Sequence, residues 1–533
     1  MKKEVVLAVV ILILAIVGYF LMFVVEDPLF GPLKQPGGFQ NTFERMETAP
    51  SDGSSGGPGL ETIDYGYTLY TPRAEHDTVY LIDNEEDVFH SWNIDSDAGA
   101  TYLLDDGRLL TRETAGATIR DWEGNILWRI DLTELPRQHH DVEMMPNGNV
   151  LIVSRDLKNY AESIAAGRDP AFMSDNEVMP VTIYEVNPDE EIVWEWHIWD
   201  HLIQDFDPTK DNYGNVGEHP ELMDLNYGRL PVSAWTHVNT VDYNEEFDQI
   251  VLSSRTIDEF WIIDHSTTTE EAASHFGGNS GKGGDFLYRW GNPEAYRAGD
   301  ESDKKLYGPH DIQWIKSGLL GEGRMMVFNN GWIRPEGAYS SIEEIVVPID
   351  GNGNYYLAPG EAYGPEELVW IYTAENPTDF YAQAFSGTQR LPGGNTLICE
   401  GNGGRLFEVT RSGEKVWEYQ NNIPTPSQSD VFKIRRYYPP FIWDIPTLRP
   451  TENVLHLFDL TPFVTDHDTD DENLVLTEDS DYAEIVGFEL QLLYPPGVLS
   501  DVINFTVTDG IFTTSKNIDV EMLVPPPLRG FFD

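Results

Sequence analysis

The sequence predicts an all-β protein: a six-bladed β-propeller followed by a small β-sandwich, with one N-terminal transmembrane helix. Three observations predict it. A turn–strand–Trp pattern recurs six times between residues 61 and 420. The composition, with 46 Gly, 34 Pro, 14 Trp, 25 Tyr and 25 Phe, favours many short strands and turns over helical bundles. A single uncharged apolar run, residues 5–25, precedes everything else.

That run fixes the expected compartment. Its 21 residues, at about 1.5 Å each, reach about 31 Å, enough for a bilayer core. Lys2 and Lys3 precede it, Glu26 and Asp27 follow it, and no A-x-A cleavage pattern ends it. An uncleaved anchor over residues 1–27 is expected, rather than a cleaved signal peptide, with the body extracytoplasmic by the positive-inside rule. The expected location is a single-pass cell-membrane protein. Residues 28–60 contain Ser51-Asp52-Gly53-Ser54-Ser55-Gly56-Gly57-Pro58-Gly59 and read as a flexible spacer.

Residues 61–440 carry the repeat and form the expected catalytic propeller. The clearest copies run from Asn147-Gly148-Asn149-Val150-Leu151-Ile152-Val153 to Val193-Trp194-Glu195-Trp196, and from Gly393-Gly394-Asn395-Thr396-Leu397-Ile398-Cys399 to Val416-Trp417-Glu418-Tyr419. Four weaker copies end at Trp92, Trp128, Trp290 and Trp370. Repeats of about 40–60 residues made of short strands suit blades of four strands each. The Trp positions read as packing between blades. Two long insertions, residues 199–235 and 267–305, interrupt the pattern, and loops of that length are commonly functional. The first contains Tyr213, His219, Tyr227 and Arg229. The second contains Gly277-Gly278-Asn279-Ser280-Gly281-Lys282-Gly283-Gly284, which lacks the spacing of a phosphate loop.

Histidines stand at matching places in three copies: His139-His140-Asp141, His237-Val238-Asn239 and Gly308-Pro309-His310-Asp311. Equivalent positions of successive blades converge on a propeller's central channel. Arg255, one strand after His237, can point the same way. Several imidazoles with one guanidinium suit a small tetrahedral oxyanion, because Arg offers a planar fork of donors. Metal binding by the three histidines is open, though the adjacent Arg opposes a cation. Asp311 either orients an imidazole or, as its turn sequence favours, sits exposed.

These residues resemble the arylsulfate sulfotransferases, which are six-bladed propeller enzymes. The resemblance covers residues 64–422 and rests on His139-His140-Asp141, on His237 and Asn239 with Arg255 eighteen residues after His237, on Gly308-Pro309-His310-Asp311 and on Arg390-Leu391-Pro392-Gly393-Gly394-Asn395-Thr396. It implies transfer of a sulfuryl group from a phenolic sulfate ester to a phenolic acceptor, with no nucleotide sulfate and no cofactor. It further implies that His310 is the nucleophile and forms a sulfohistidine, with His140, His237, Asn239 and Arg255 binding sulfuryl oxygens or moving protons. A non-catalytic surface propeller that binds a ligand or partner, and a hydrolase using the same pocket, are the alternatives.

After residue 440 the composition changes to short alternating strands, and residues 441–533 suit a β-sandwich. Its Asp466-His467-Asp468 and Thr508-Asp509-Gly510 resemble cadherin-like modules of surface proteins. Asp466, Asp468, Asp470, Asp471 and Glu472 offer oxygens for a structural calcium ion, against a solvated acidic turn. Asp350-Gly351-Asn352-Gly353-Asn354 resembles a calcium loop but reads as a hairpin turn. With 34 Lys+Arg against 90 Asp+Glu, the net charge of −56 repels phosphate backbones and excludes nucleic acid as a partner. Cys399 stands alone, so no internal disulfide and no Cys-based zinc site is possible. Oligomeric state leaves no mark in the sequence.

Overall fold

Runs such as Val150-Leu151-Ile152-Val153 and Ile250-Val251-Leu252 are apolar at every position, which suits strands covered on both faces. In the computed structural model these runs are the middle strands of four-stranded antiparallel sheets, and every residue of Gln249–Ser254, Met325–Asn329 and Thr396–Glu400 is buried. The structure describes residues 63–523 apart from 76, 95–97, 105–106, 133–136, 174–176, 229–233, 443–444, 467–472 and 511. The expected anchor (1–27) and spacer (28–60), Arg229, and the acids Asp468, Asp470, Asp471 and Glu472 lie outside the described residues. Among the described residues no helix is long and apolar enough to cross a membrane.

The fold is all-β. Six four-stranded sheets follow one another along the chain. Sheet 2 comprises Thr101–Leu103, Leu109–Glu113, Gly116–Arg120 and Ile126–Asp131. Sheet 3 comprises Arg137–Met144, Val150–Arg155, Val181–Val186 and Ile192–His197. Sheet 4 comprises Val238–Asn244, Gln249–Ser254, Glu259–Asp264 and Tyr288–Trp290. Sheet 5 comprises His310–Trp314, Met325–Asn329, Ser341–Ile345 and Trp370–Tyr372. Sheet 6 comprises Gly387–Arg390, Thr396–Glu400, Arg405–Val409 and Lys415–Gln420. Sheet 1 is made from both ends of this region: Val431–Tyr437 pairs antiparallel with Tyr67–Pro72, followed by Thr78–Ile82 and Val88–Asn93. Each of the six sequence copies falls in its own sheet.

The first strands touch in order. Those of sheets 3 and 4, 4 and 5, 5 and 6, 6 and 1, and 1 and 2 are in contact, and the second strand of sheet 2 meets the first of sheet 3. Side chains tie the first strands of sheets 3, 4, 5 and 6 to the next one's backbone. Asp141 accepts from Val241 N at 3.2 Å, Asp242 from Trp314 N at 2.8 Å, Asp311 from Thr388 N at 2.8 Å and Gln389 from Arg436 N at 2.6 Å. These bonds satisfy strand-edge N–H groups that would otherwise be stranded in the interior.

The repeated Trp residues lie on the fourth strands, and several of their indole N–H groups reach the following sheet. Trp194 donates to Thr267 Oγ1 at 3.1 Å, Trp290 to Pro365 O at 3.0 Å, Trp370 to Arg411 O at 2.9 Å and Trp417 to Asn84 O at 3.0 Å. A large apolar ring with one donor at its edge fills a wedge between sheets and satisfies a loop acceptor there.

Residues 441–523 build two three-stranded sheets. One orders His456–Asp459, Glu489–Leu492 and Ala483–Val486; the other orders Val475–Thr477, Ser500–Thr508 and Thr513–Glu521. Leu460, Leu490, Tyr494, Ile503, Phe505 and Ile518 form a core of their own. Phe512 stacks on Tyr67 of sheet 1, with ring centroids 4.8 Å apart. Asp350 caps a hairpin turn through Asn352 N and Asn354 N at 2.8 and 3.0 Å, closed by the Ile349–Tyr355 bridge.

Candidate functional site

Three consecutive first strands begin with a kink. His140, His237 and Asp311 have φ of +62°, +31° and +53°, and the pairing register shifts between Gln138 and Val142, Val238 and Thr240, and His310 and Gln313. Bulges re-aim side chains, and non-glycine residues in the left-handed region mark strain held by the surroundings. Here the kinks bring three imidazoles together. His140 Nε2 and His237 Nε2 are 3.1 Å apart. The ring centroids of His139 and His140 are 3.7 Å apart, and those of His139 and His237 4.9 Å. His139 Nδ1 donates to Val238 O at 2.9 Å.

His310 is nearly buried, at 3% exposure. Its Nδ1–H donates to Asn330 Oδ1 at 2.8 Å and lies 3.1 Å from Gly308 O. The orientation of Asn330 is itself fixed, because its Nδ2 donates to Ala382 O and Phe385 O at 2.9 and 3.1 Å. The amide oxygen must therefore face the imidazole. His310 carries its proton on Nδ1, and Nε2 keeps its lone pair. No sequence motif pointed to Asn330, which follows the second strand of sheet 5.

Arg255 N donates to His237 O at 3.1 Å, and the Arg255 guanidinium lies over the Trp332 ring at 4.9 Å. Its charge acts on both His237 and His310. Burial, then the Arg255 charge, pushes His310 down to about 3. Burial, then Arg155 for His139, the adjoining imidazoles of His139 and His237 for His140, and Arg255 for His237, holds the three well below the usual imidazole range. The imidazoles are thus neutral among Arg112, Arg155 and Arg255, a local positive field inside a strongly acidic protein. His139, His140 and His237 bring ring nitrogens within 4.8 Å of one another, a geometry that metals accept. The surrounding guanidinium charge favours an anion there instead.

Asn239 is fully buried and turned to the backbone. Its Nδ2 donates to Pro309 O at 2.8 Å, and its Oδ1 accepts from Ser253 Oγ at 2.5 Å. It pins the residue before His310. Asp311 overturns the exposed-turn expectation. It is 0% exposed, and its carboxylate meets Arg435 at 2.7 Å and Lys433 at 2.9 Å. Those cations come from the closing strand of sheet 1, so local sequence could not reveal them. They outweigh burial and hold Asp311 well below the usual carboxylate range. Lys433 also bonds Asp141 at 2.9 Å and Tyr102 OH at 2.9 Å. Phe432 stacks on His140 with centroids 5.5 Å apart, and Phe385 lies 6.1 Å from Phe432, giving the imidazoles an aromatic flank.

The family model described as Arylsulfotransferase (ASST) matches residues 35–434. No curated protein matches the chain. Among solved structures, a protein of unknown function from Bacteroides caccae is similar at 12% identity over 70% of this chain and 99% of that chain, with a TM-score of 0.39. A streptogramin B lyase structure is similar at 10% identity over 73% of this chain and 95% of that chain, with a TM-score of 0.34. These likenesses carry no argument about chemistry.

Proposed function

The chain belongs to the arylsulfotransferase family, and from that premise we propose an aryl-sulfate sulfotransferase that works through a sulfohistidine on His310. The Asn330–His310 hydrogen bond carries the reading, because it leaves a lone pair on Nε2 of a neutral imidazole. Nε2 attacks the sulfur of a phenolic sulfate ester. The bond between sulfur and the aryl oxygen breaks, and its electron pair leaves with the phenolate. Arg255 holds nonbridging oxygens as charge builds. The anionic donor offsets the guanidinium field, so the His140–His237 pair takes a proton from solvent on binding and gives it to the phenolate. In the second half an acceptor phenol attacks the sulfur, the N–S bond breaks, and the same pair takes the phenol's proton. Asn239 acts through Pro309 as a positioning residue.

The six sheets are read as the blades of a catalytic propeller over residues 61–440. Residues 1–27 anchor it in the cell membrane, residues 28–60 space it from the surface, and the body is extracytoplasmic. Residues 441–533 are read as a cadherin-like sandwich serving as a spacer or adhesive unit, with a structural calcium at Asp466, Asp468 and Asp470. Phenolic donor and acceptor are the partners.

The test offers a chromogenic phenyl sulfate with and without a phenol. Release that needs the phenol supports transfer, release without it means hydrolysis, and no release means a binding protein. Donor alone should leave an acid-labile sulfuryl group on the His310 peptide, discharged by phenol. His310→Asn should abolish labelling and turnover; full activity in that variant overturns the covalent route.

A further inference from the structure

We propose that His201, His275 and Asp285 form a site for a divalent first-row metal ion, zinc(II) in the first instance, that ties the two long insertions together. His201 belongs to the insertion after sheet 3, and His275 and Asp285 to the one that interrupts sheet 4. Asp285 Oδ1 lies 2.7 Å from His201 Nδ1 and 2.8 Å from His275 Nδ1. All three donor atoms lie within 4.8 Å of one another.

The geometry suits a ligand set: His201 Nε2 donates to the Ala272 carbonyl at 2.8 Å, which turns Nδ1 toward the Asp285 carboxylate. A ligand imidazole whose other N–H rests on a backbone carbonyl is the usual support around a bound metal. Two imidazoles and one carboxylate suit zinc, with a fourth position left for water. Metal–ligand bonds of about 2.0–2.1 Å require donor separations of about 3.4 Å, so each imidazole nitrogen moves about 0.6–0.7 Å away from Asp285 Oδ1 on loading.

The surroundings are shaped to hold these groups. Trp196 stacks on His201 with centroids 5.8 Å apart and planes 9° from parallel. A Cβ at Gly284 would stand 2.0 Å from Ala272 O and 2.6 Å from His201 Nε2, and one at Gly283 would stand 2.2 Å from Ser274 O. The absence of side chains at Gly283 and Gly284 therefore lets the chain turn tightly enough to present His275 and Asp285 to His201. Asp285 is buried, whereas His275 is exposed and borders a cavity of about 410 Å³ lined also by Trp199, His219 and Leu222. An ion and its water can enter there, and the net charge of −56 draws cations to the surface.

The test uses the full chain stripped with a chelator, then titrated calorimetrically with zinc chloride in excess magnesium, which occupies the acidic surface. His275→Ala changes an exposed side chain and keeps the other metal-competent histidines. The wild type should bind one equivalent more than His275→Ala or Asp285→Asn, and zinc should raise its melting temperature by several degrees but not that of His275→Ala. Cobalt(II) in place of zinc should give the visible absorption of a tetrahedral ion only in the wild type. Equal zinc uptake by wild type and His275→Ala, with no cobalt band, overturns the proposal and leaves a hydrogen-bonded triad.

Discussion

His140 Nε2 and His237 Nε2 lie 3.1 Å apart, so two neutral imidazoles share one proton between sheets 3 and 4. Burial first, then the adjoining imidazoles for His140 and the Arg255 charge for His237, lowers both pKa values. A group held neutral in the folded state but titrating near 6.5 when unfolded makes the unfolded chain bind more protons below that pH. Its contribution is fully present above about pH 6.5 and falls as the solution is acidified. Urea midpoints of wild type and His140→Gln should therefore converge on going from pH 7 to pH 4.5, because Gln removes the titration. A constant difference across that range refutes the neutral pair.

Asn330 fixes which nitrogen of His310 carries the proton. Asn330→Ala should lower kcat by about 100-fold, the scale of a lost proton-positioning group, with little change in KM for a phenyl sulfate. Asn330→Asp keeps an acceptor facing Nδ1 and should recover part of the loss. Steady-state kinetics of the two variants check this.

Lys433 bridges two fully buried carboxylates, Asp141 and Asp311, at 2.9 Å each. Lys433→Met removes the cation that Asp141 meets, while Arg435 still pairs with Asp311. Breaking a buried pair in this way costs about 3 kcal/mol or more. Denaturant unfolding at pH 7 should show the loss.

Glu143 and Asp242 stand half-buried on the first strands of sheets 3 and 4, and burial followed by the Asp242 charge raises the Glu143 pKa. A carboxyl raised above its unfolded value of 4.5 costs stability as pH rises through the range between the unfolded and folded values. Glu143→Gln should be neutral near pH 4.5 and stabilising above it, with the gain growing toward pH 8. Melting temperatures across that range read the sign directly.

The proposed anchor has a biochemical consequence. The native protein should retain its N-terminus and require detergent for extraction. A soluble mature form beginning near Glu26 refutes it.

The repeat was legible because each sheet uses the same solution: two strands covered on both faces read as unbroken apolar runs, and a fourth strand carries a Trp. The imidazoles were legible because they recur at one place in the repeat. The groups with no local sequence signal reach the site from elsewhere. Lys433 and Arg435 arrive on the closing strand, from more than a hundred residues beyond the Asp311 they neutralise, so that acid read as a surface turn. Asn330 sits in an unremarkable Asn-Asn-Gly turn, and its role depends on two carbonyls of the chain leading into sheet 6. His201 and Asp285 are adjacent only because two insertions fold against each other, and no spacing rule links them.

Sheet 1 sets a timetable for synthesis. Tyr67–Pro72 is made early, yet its partner Val431–Tyr437 is among the last strands of the repeat region to emerge. At roughly 10 residues per second the first strand waits about 40 s for its mate. Throughout that interval its edge is open to other chains, and any product cut short before residue 431 keeps it open for good. Sheet 1 is thus completed late in synthesis, once residues 431–437 have emerged, and until then the waiting edge must be kept from other chains.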